Sequence, residues 1–349
     1  MKTLFIEDIQ DGMVLDEDVY SANSILLISK NTTINQGIIN RMKQLGITFI
    51  RVKEMEASTE SMMNLFHEER QQFIRTYEQS LLAVKDLMKD ARFGNNIDAN
   101  RMKETAENLL RSVFQNYSII GRLNLVKNKD EYTYTHSVNV AMLATMIGKW
   151  MRLPNEDIFQ LACAGLLHDI GKAKIDDAIL NKPSRLTVDE YAIMQEHALE
   201  GFSLLCDIPG LSGGVIFAAL SHHERYDGNG YPFGLKGEEI HLYARIIAVA
   251  DIYDAMTSNR VYRKKVSPFT VAKQIADDSF GVLDPKICQV FLNNISSLYV
   301  GNRVTLSNGL VGDVVFIDPQ NLDRPVVFCE HEFVDLQKLH SIEVLNIIG

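Results

Sequence analysis

The sequence predicts a mainly α protein: a central helical domain, a small N-terminal α+β domain, a long connecting helix and a small β-rich C-terminal domain. Three observations lead there. Apolar residues recur at helical steps over most of the middle of the chain; six of its nine histidines fall between residues 130 and 255; and strand-like alternation begins only after Tyr299. At roughly 100–200 residues per domain, 349 residues imply more than one core. The expected boundaries are 1–53, 54–124, 125–298 and 299–349.

In residues 1–53, short apolar runs (Ser24–Ser29 and Ile47–Val52) flank a helix-like stretch, Asn35–Leu45, that stops at Gly46. From Glu54 to about Arg92 the chain is polar and free of proline. Met62, Phe66, Phe73, Tyr77, Leu81, Val84 and Met88 share one helical face there, which could also pair two copies into a homodimer. Gly94 ends this helix, and Asp98 is placed to cap a second one running to about Leu123. Residues 130–295 read as helical almost throughout. Beyond Tyr299, Ser307-Asn308-Gly309 between Arg303–Leu306 and Leu310–Ile317 is a hairpin signal, and Pro325–Cys329 and Ile342–Ile348 are further strand-like runs.

The chain carries 35 basic and 45 acidic side chains, a net charge of −10, which excludes a generic coat for nucleic-acid polymers. No run of 18 apolar residues suggests a membrane span. The four cysteines stand far apart in apolar runs and show no zinc spacing, so they read as buried free thiols of the cytoplasm.

Three segments carry chemistry. In Leu166-Leu167-His168-Asp169-Ile170-Gly171-Lys172 an apolar helix ends in an adjacent imidazole and carboxylate, with Gly171 as the helix stop. Such a pair offers mixed nitrogen and oxygen ligation, suited to Mn, Fe, Co, Ni or Zn, and the carboxylate alone has two oxygens with which to bridge cations. His222-His223-Glu224-Arg225 precedes a turn-rich Asp227–Pro232; consecutive helical residues diverge by about 100°, so the two histidines converge only near a helix end. Asp251 lies inside the apolar run Ala244–Thr257, where an unpartnered carboxylate is costly. A metal or an ion pair with Arg245 would each remove that cost. The basic run Arg260–Lys265 reads either as a solvated turn or as a phosphate-binding patch.

The ordered set His136, His168-Asp169, His197, His222-His223 and Asp251 resembles the HD superfamily of metal-dependent phosphohydrolases. With His168-Asp169-Ile170-Gly171-Lys172, His222-His223-Glu224-Arg225 and Gly230-Tyr231-Pro232, it looks more narrowly like the HD-GYP subfamily over roughly residues 125–295. The resemblance implies an HD-type helical domain that hydrolyses the bacterial second messenger cyclic di-GMP to linear pGpG, and onward to GMP, by in-line attack of a metal-bridging hydroxide. It implies two divalent ions, Fe or Mn before Co, Ni or Zn: one on His136, His168, Asp169 and Asp251, the other on Asp169, His197, His222 and His223. Asp169 and Lys172 are the implied catalytic pair. Lys172, Arg225, Tyr231, Arg260 and Arg263 would approach the substrate, and Asp254 would position a water for the leaving group. Tyr132 stands where some members carry a carboxylate for a third metal, so two ions are expected; Leu283 stands where the family often has Phe. The alternatives are a signalling module that binds a cyclic dinucleotide without cleaving it, or another HD phosphohydrolase acting on nucleotides.

Overall fold

The computed structural model describes all residues except 1, 7, 11–12, 21–25, 29, 31, 33, 35, 45–46, 48, 53–58, 116–131, 259–265, 280, 319, 331 and 349; for a further set, including 59–70, 114–115 and 132, it describes the backbone alone. The chain divides into two compact units, Met1–Gln71 and Gln72–Gly349.

The first unit contains β1 (Lys2–Phe5), β2 (Val19–Tyr20), β3 (Leu26–Ile28), α1 (Gln36–Gln44) and β4 (Phe49–Val52). β1 pairs antiparallel with β4, and β2 with β3. Leu15, Ile34, Ile39, Met42, Ile50 and Val52 close a small core of their own. The α+β character read from the apolar runs is what forms, although Leu45 and Gly46 lie outside the described residues.

Helix α2 spans Thr59–Phe93 and α3 spans Ala99–Gln115. Gly94 takes φ +72°, which an L side chain rarely adopts, and ends α2 where the sequence placed the stop. The Asp98 carboxylate accepts from the Asn100 and Arg101 amides and caps α3. Phe73, Tyr77, Val84 and Met88 are buried in the core of their own unit. Those four are therefore unavailable to a second copy, which removes them from the expected dimer face; the side chains of Met62 and Phe66 are outside the description.

The remaining helices are α4 (Tyr132–Trp150), α5 (Asn155–Leu167), a 3₁₀ turn at Ile170–Lys174, α6 (Asp177–Leu180), α7 (Val188–Gln195), α8 (His197–Cys206), α9 (Gly213–Ser221), α10 (Leu242–Thr257), α11 (Pro268–Asp278) and α12 (Pro285–Ile295). Among the described residues none of the helices is long and apolar enough to cross a membrane. α4 and α5 pack so closely that a Cβ built on Gly165 would stand 2.3 Å from the Ala141 Cα. This approach sets His136 beside His168, their ring centroids 5.3 Å apart.

Arg245 does not pair with Asp251. Its guanidinium donates to Asp284 Oδ2 at 2.6 Å, while Asp284 Oδ1 caps α12 through the Lys286 and Ile287 amides. Asp284 is buried, so Arg245→Leu strands its charge and is expected to destabilise the protein by about 3–5 kcal/mol in chemical denaturation.

At the C-terminal end, β5 (Arg303–Leu306), β6 (Val311–Phe316), β7 (Val326–Cys329), β8 (Glu332–Asp335) and β9 (Val344–Ile347) form an antiparallel sheet in the order β8-β7-β6-β5-β9. The Asn308-Gly309 turn joins β5 to β6 as expected, with Gly309 at φ +87°. Val304, Leu306, Val314 and Val327 belong to the same apolar core as the helices. All four cysteines are unpaired, but Cys206 is exposed, contrary to expectation: it ends α8 on the helix's outer face.

Candidate metal centre

The site forms where the ends of apolar helices meet. α5 stops at Leu167 and His168 caps it, so Asp169 begins the 3₁₀ turn that carries Lys172. Gly171 is not a left-handed helix stop. It lies inside that turn, where a Cβ would come 1.9 Å from the His197 carbonyl oxygen and 2.5 Å from the Gly201 amide nitrogen. The missing side chain lets α8 press against the turn. α9 ends at Ser221, leaving His222 as its cap and His223 in the following turn; this is the helix end that lets adjacent imidazoles converge.

Two groups of side chains result: Asp169, His197, His222 and His223 in one, and His136, His168 and Asp251 in the other, the ligand atoms of each lying within 4.8 Å of one another. Asp169 faces both. Its Oδ1 is 3.5 Å from His197 Nε2 and 3.7 Å from His222 Nε2, while its Oδ2 is 3.3 Å from His168 Nε2 and 3.8 Å from His136 Nε2. His136 Nε2 also stands 3.0 Å from Asp251 Oδ1. The Lys172 ammonium reaches Asp169 Oδ2 at 2.6 Å.

The far nitrogens of three rings are held by main-chain carbonyls: His168 Nδ1 by Gly165, His197 Nδ1 by Met194 and His222 Nδ1 by Ala219. An acceptor at Nδ1 keeps the proton there and leaves Nε2 as a lone pair. Burial lowers the pKa of His168, brings His197 down to about 3 and holds His223 well below the usual imidazole range. Burial also opposes a charge on His136, but its contacts with Asp251 and Asp254 outweigh this and raise it to about 9. Against the same burial, Lys172 and His168 keep Asp169 ionised, and His136 keeps Asp251 so. The neutral imidazoles of His168, His197 and His223 beside two ionised carboxylates make a cation site.

His168 Nε2 and Asp169 Oδ1 are fully buried without a hydrogen-bond partner. Each such atom costs about 1–3 kcal/mol unless something takes it up. A divalent cation fits both, and the mixed donor set suits a first-row transition metal.

A cavity of about 730 Å³ opens onto these groups and is lined also by Lys172, Arg225, Tyr231, Tyr191 and Leu283. Tyr231 stacks on His223 with centroids 4.7 Å apart. Sequence reasoning assigned no role to Glu224, yet its buried carboxylate accepts from the Phe233 and Leu235 amides and ties the loop after Tyr231 to the tandem histidines. Arg260 and Arg263, with the rest of their basic run, lie outside the described residues. Asp254 is 2% exposed, is not among the cavity-lining residues, and is bound to His136, Asn139 and Ser258. Its carboxylate is taken up inside the helix packing, one residue layer behind the cavity wall formed by His136.

A helical domain that draws histidines from several helices around one buried aspartate has a site able to hold a metal ion. Residues 122–287 match the pattern of the HD domain. Over 245 residues, 70% of this chain and 59% of the other, it is 38% identical to a Pseudomonas aeruginosa protein named cyclic di-GMP phosphodiesterase. Over 177 residues, 50% of this chain and 41% of the other, it is 38% identical to the Vibrio cholerae 3'3'-cGAMP-specific phosphodiesterase 1. The chain thus spans about two fifths to three fifths of the length of these curated relatives. Its fold is similar to that of Bd1817, an HDG"Y"P protein from Bdellovibrio bacteriovorus, with a TM-score of 0.55 at 16% identity, covering 85% of this chain and 99% of that one.

Proposed function

We propose that this chain is a metal-dependent phosphodiesterase that hydrolyses cyclic di-GMP to linear pGpG and onward to GMP. The observation that carries the reading is the division of Asp169, each oxygen facing a different group of histidines on the wall of one cavity. We assign one ion to His136, His168, Asp169 and Asp251 and the other to Asp169, His197, His222 and His223, with Fe or Mn the expected metals. Such a pair supplies Lewis acidity, making a water nucleophilic near neutral pH and offsetting charge on the phosphate.

The protein's own groups do the rest. Lys172, 23% exposed and at the cavity wall, brings a cation to the phosphate oxygens and holds at Nζ a proton for the leaving ribose oxygen. Arg225 adds a guanidinium on the same wall, and Tyr231, braced against His223, a hydroxyl and a flat ring. Arg260 and Arg263 belong to the same substrate-binding proposal on sequence grounds. The net charge of −10 repels an anionic ligand, so these local cations must hold it. A cytoplasmic location follows from that substrate class. The segments 1–53, 54–124 and 299–349 are read as accessory to a catalytic domain at 125–298.

The test is turnover of cyclic di-GMP by protein loaded anaerobically with Fe or Mn, with the Vibrio relative's substrate class, 3'3'-cGAMP, in parallel. Faster turnover of 3'3'-cGAMP reassigns the substrate, and tight binding without product in either arm replaces hydrolysis by sensing. Lys172→Met is expected to keep the metal content of the wild type and lower kcat by about 10²–10³-fold. Metal analysis beside a single-turnover assay separates the two effects.

A further inference from the structure

The cation site is continuous with a buried polar chain that ends on α2. Tyr77 Oη donates to Asn139 Oδ1 at 2.8 Å, and Asn139 Nδ2 donates to Asp254 Oδ1 at 2.8 Å. Asp254 Oδ2 lies 2.8 Å from His136 Nδ1, and His136 Nε2 faces Asp251 and Asp169. Tyr77 is 1% exposed, Asn139 0%, Asp254 2% and His136 3%. Asn139 sits one turn after His136 on α4, and Asp254 three residues after Asp251 on α10, so each ligand helix contributes a ligand and a supporting group. His136 is the one member of its group whose Nδ1 meets a carboxylate rather than a main-chain carbonyl; the Nδ1 of His168 meets Gly165.

We propose that Tyr77, Asn139 and Asp254 are positioning residues that fix the proton of His136 on Nδ1 and present Nε2 to a divalent cation. The chain acts in series. Asn139 can turn its amide nitrogen to Asp254 only while its oxygen has another donor, and Tyr77 is that donor. Asp254, oriented by Asn139 and by the Ser258 hydroxyl at 3.1 Å, then accepts from His136. A carboxylate behind a ligating imidazole raises its basicity and fixes its tautomer. The inference rests on the metal-dependent reading above and extends it to residues that touch neither metal nor substrate.

The test is titration of the metal-stripped full-length protein with Mn²⁺, read as bound metal after equilibrium dialysis and independent of hydrolysis. Asp254→Asn is expected to weaken one Mn²⁺ equivalent by about 10–100-fold and leave the other unchanged. Tyr77→Phe is expected to weaken the same equivalent severalfold. Because the groups act in series, Tyr77→Phe/Asp254→Asn binds no more weakly than Asp254→Asn alone. Equal weakening of both equivalents, or additive losses in the double variant, overturns the proposal in favour of general loosening. So does wild-type affinity in Tyr77→Phe, which decides the matter alone should Asp254→Asn not fold. Wild-type protein that takes up no Mn²⁺ overturns the metal-dependent function itself and this inference with it; normal wild-type uptake with unaffected variants overturns only the chain.

Discussion

Asp169→Ala is expected to fold, to lose both ions and to fall in phosphodiesterase activity on the order of a thousandfold or more. Both halves of the site depend on this carboxylate, since its Oδ1 faces His197 and His222 while its Oδ2 faces His168 and His136. The fold survives because the substitution removes a buried charge and its partner, Lys172, can return to solvent at the cavity wall. Metal analysis, a hydrolysis assay and a circular-dichroism melt on one preparation check the three parts. Full metal content in the variant would mean that Asp169 does not bridge.

Gly171→Ala is expected to damage both stability and activity although Gly171 has no side chain to offer. The new Cβ meets main-chain atoms of His197 and Gly201, which cannot rotate away as a flexible side chain would. Relief requires α8 to move off the 3₁₀ turn, which carries His197 away from Asp169. The expected cost is about 3 kcal/mol, or roughly 10 °C in melting temperature. Gly213→Ala is the control: nothing lies within 4 Å of its added Cβ, and the melt should stay within about 2 °C of the wild type. A Gly171→Ala protein with wild-type melting and turnover would contradict the close approach.

The seven proposed ligands were legible because each motif pairs ligand types with a local reason to be there: a helix end at His168-Asp169, a turn after His222-His223, a carboxylate stranded in the apolar run around Asp251. Their mutual distances came only with the fold. Asn139 was not legible. A single amide in an apolar helix has many uses, and its partners Tyr77 and Asp254 lie 62 and 115 residues away. The surroundings of Asp254 were not legible for a related reason: it shares a helix with Asp251, but periodicity does not say which of two neighbouring carboxylates faces a cavity and which faces a packed helix. Gly171 looked like a helix stop because glycine often is one; its actual constraint comes from α8, some thirty residues on. In the C-terminal sheet β8 escaped notice, since Glu332 and Asp335 bracket only two apolar residues. The hairpin at Asn308-Gly309 was plain because its geometry is local.

The sheet at the C-terminal end also bears on how such chains diversify. Its inward valines and Leu306 fill the same hydrophobic interior as the helices, and the Tyr299 hydroxyl meets that of Tyr253 on the helix that carries Asp251. A segment joined in this way cannot be swapped in recombination like a bead on a string, because any replacement must restore a fitted inner surface as well as a junction. Genetic exchange that leaves the helices of the cation site intact will therefore disfavour breakpoints after α12.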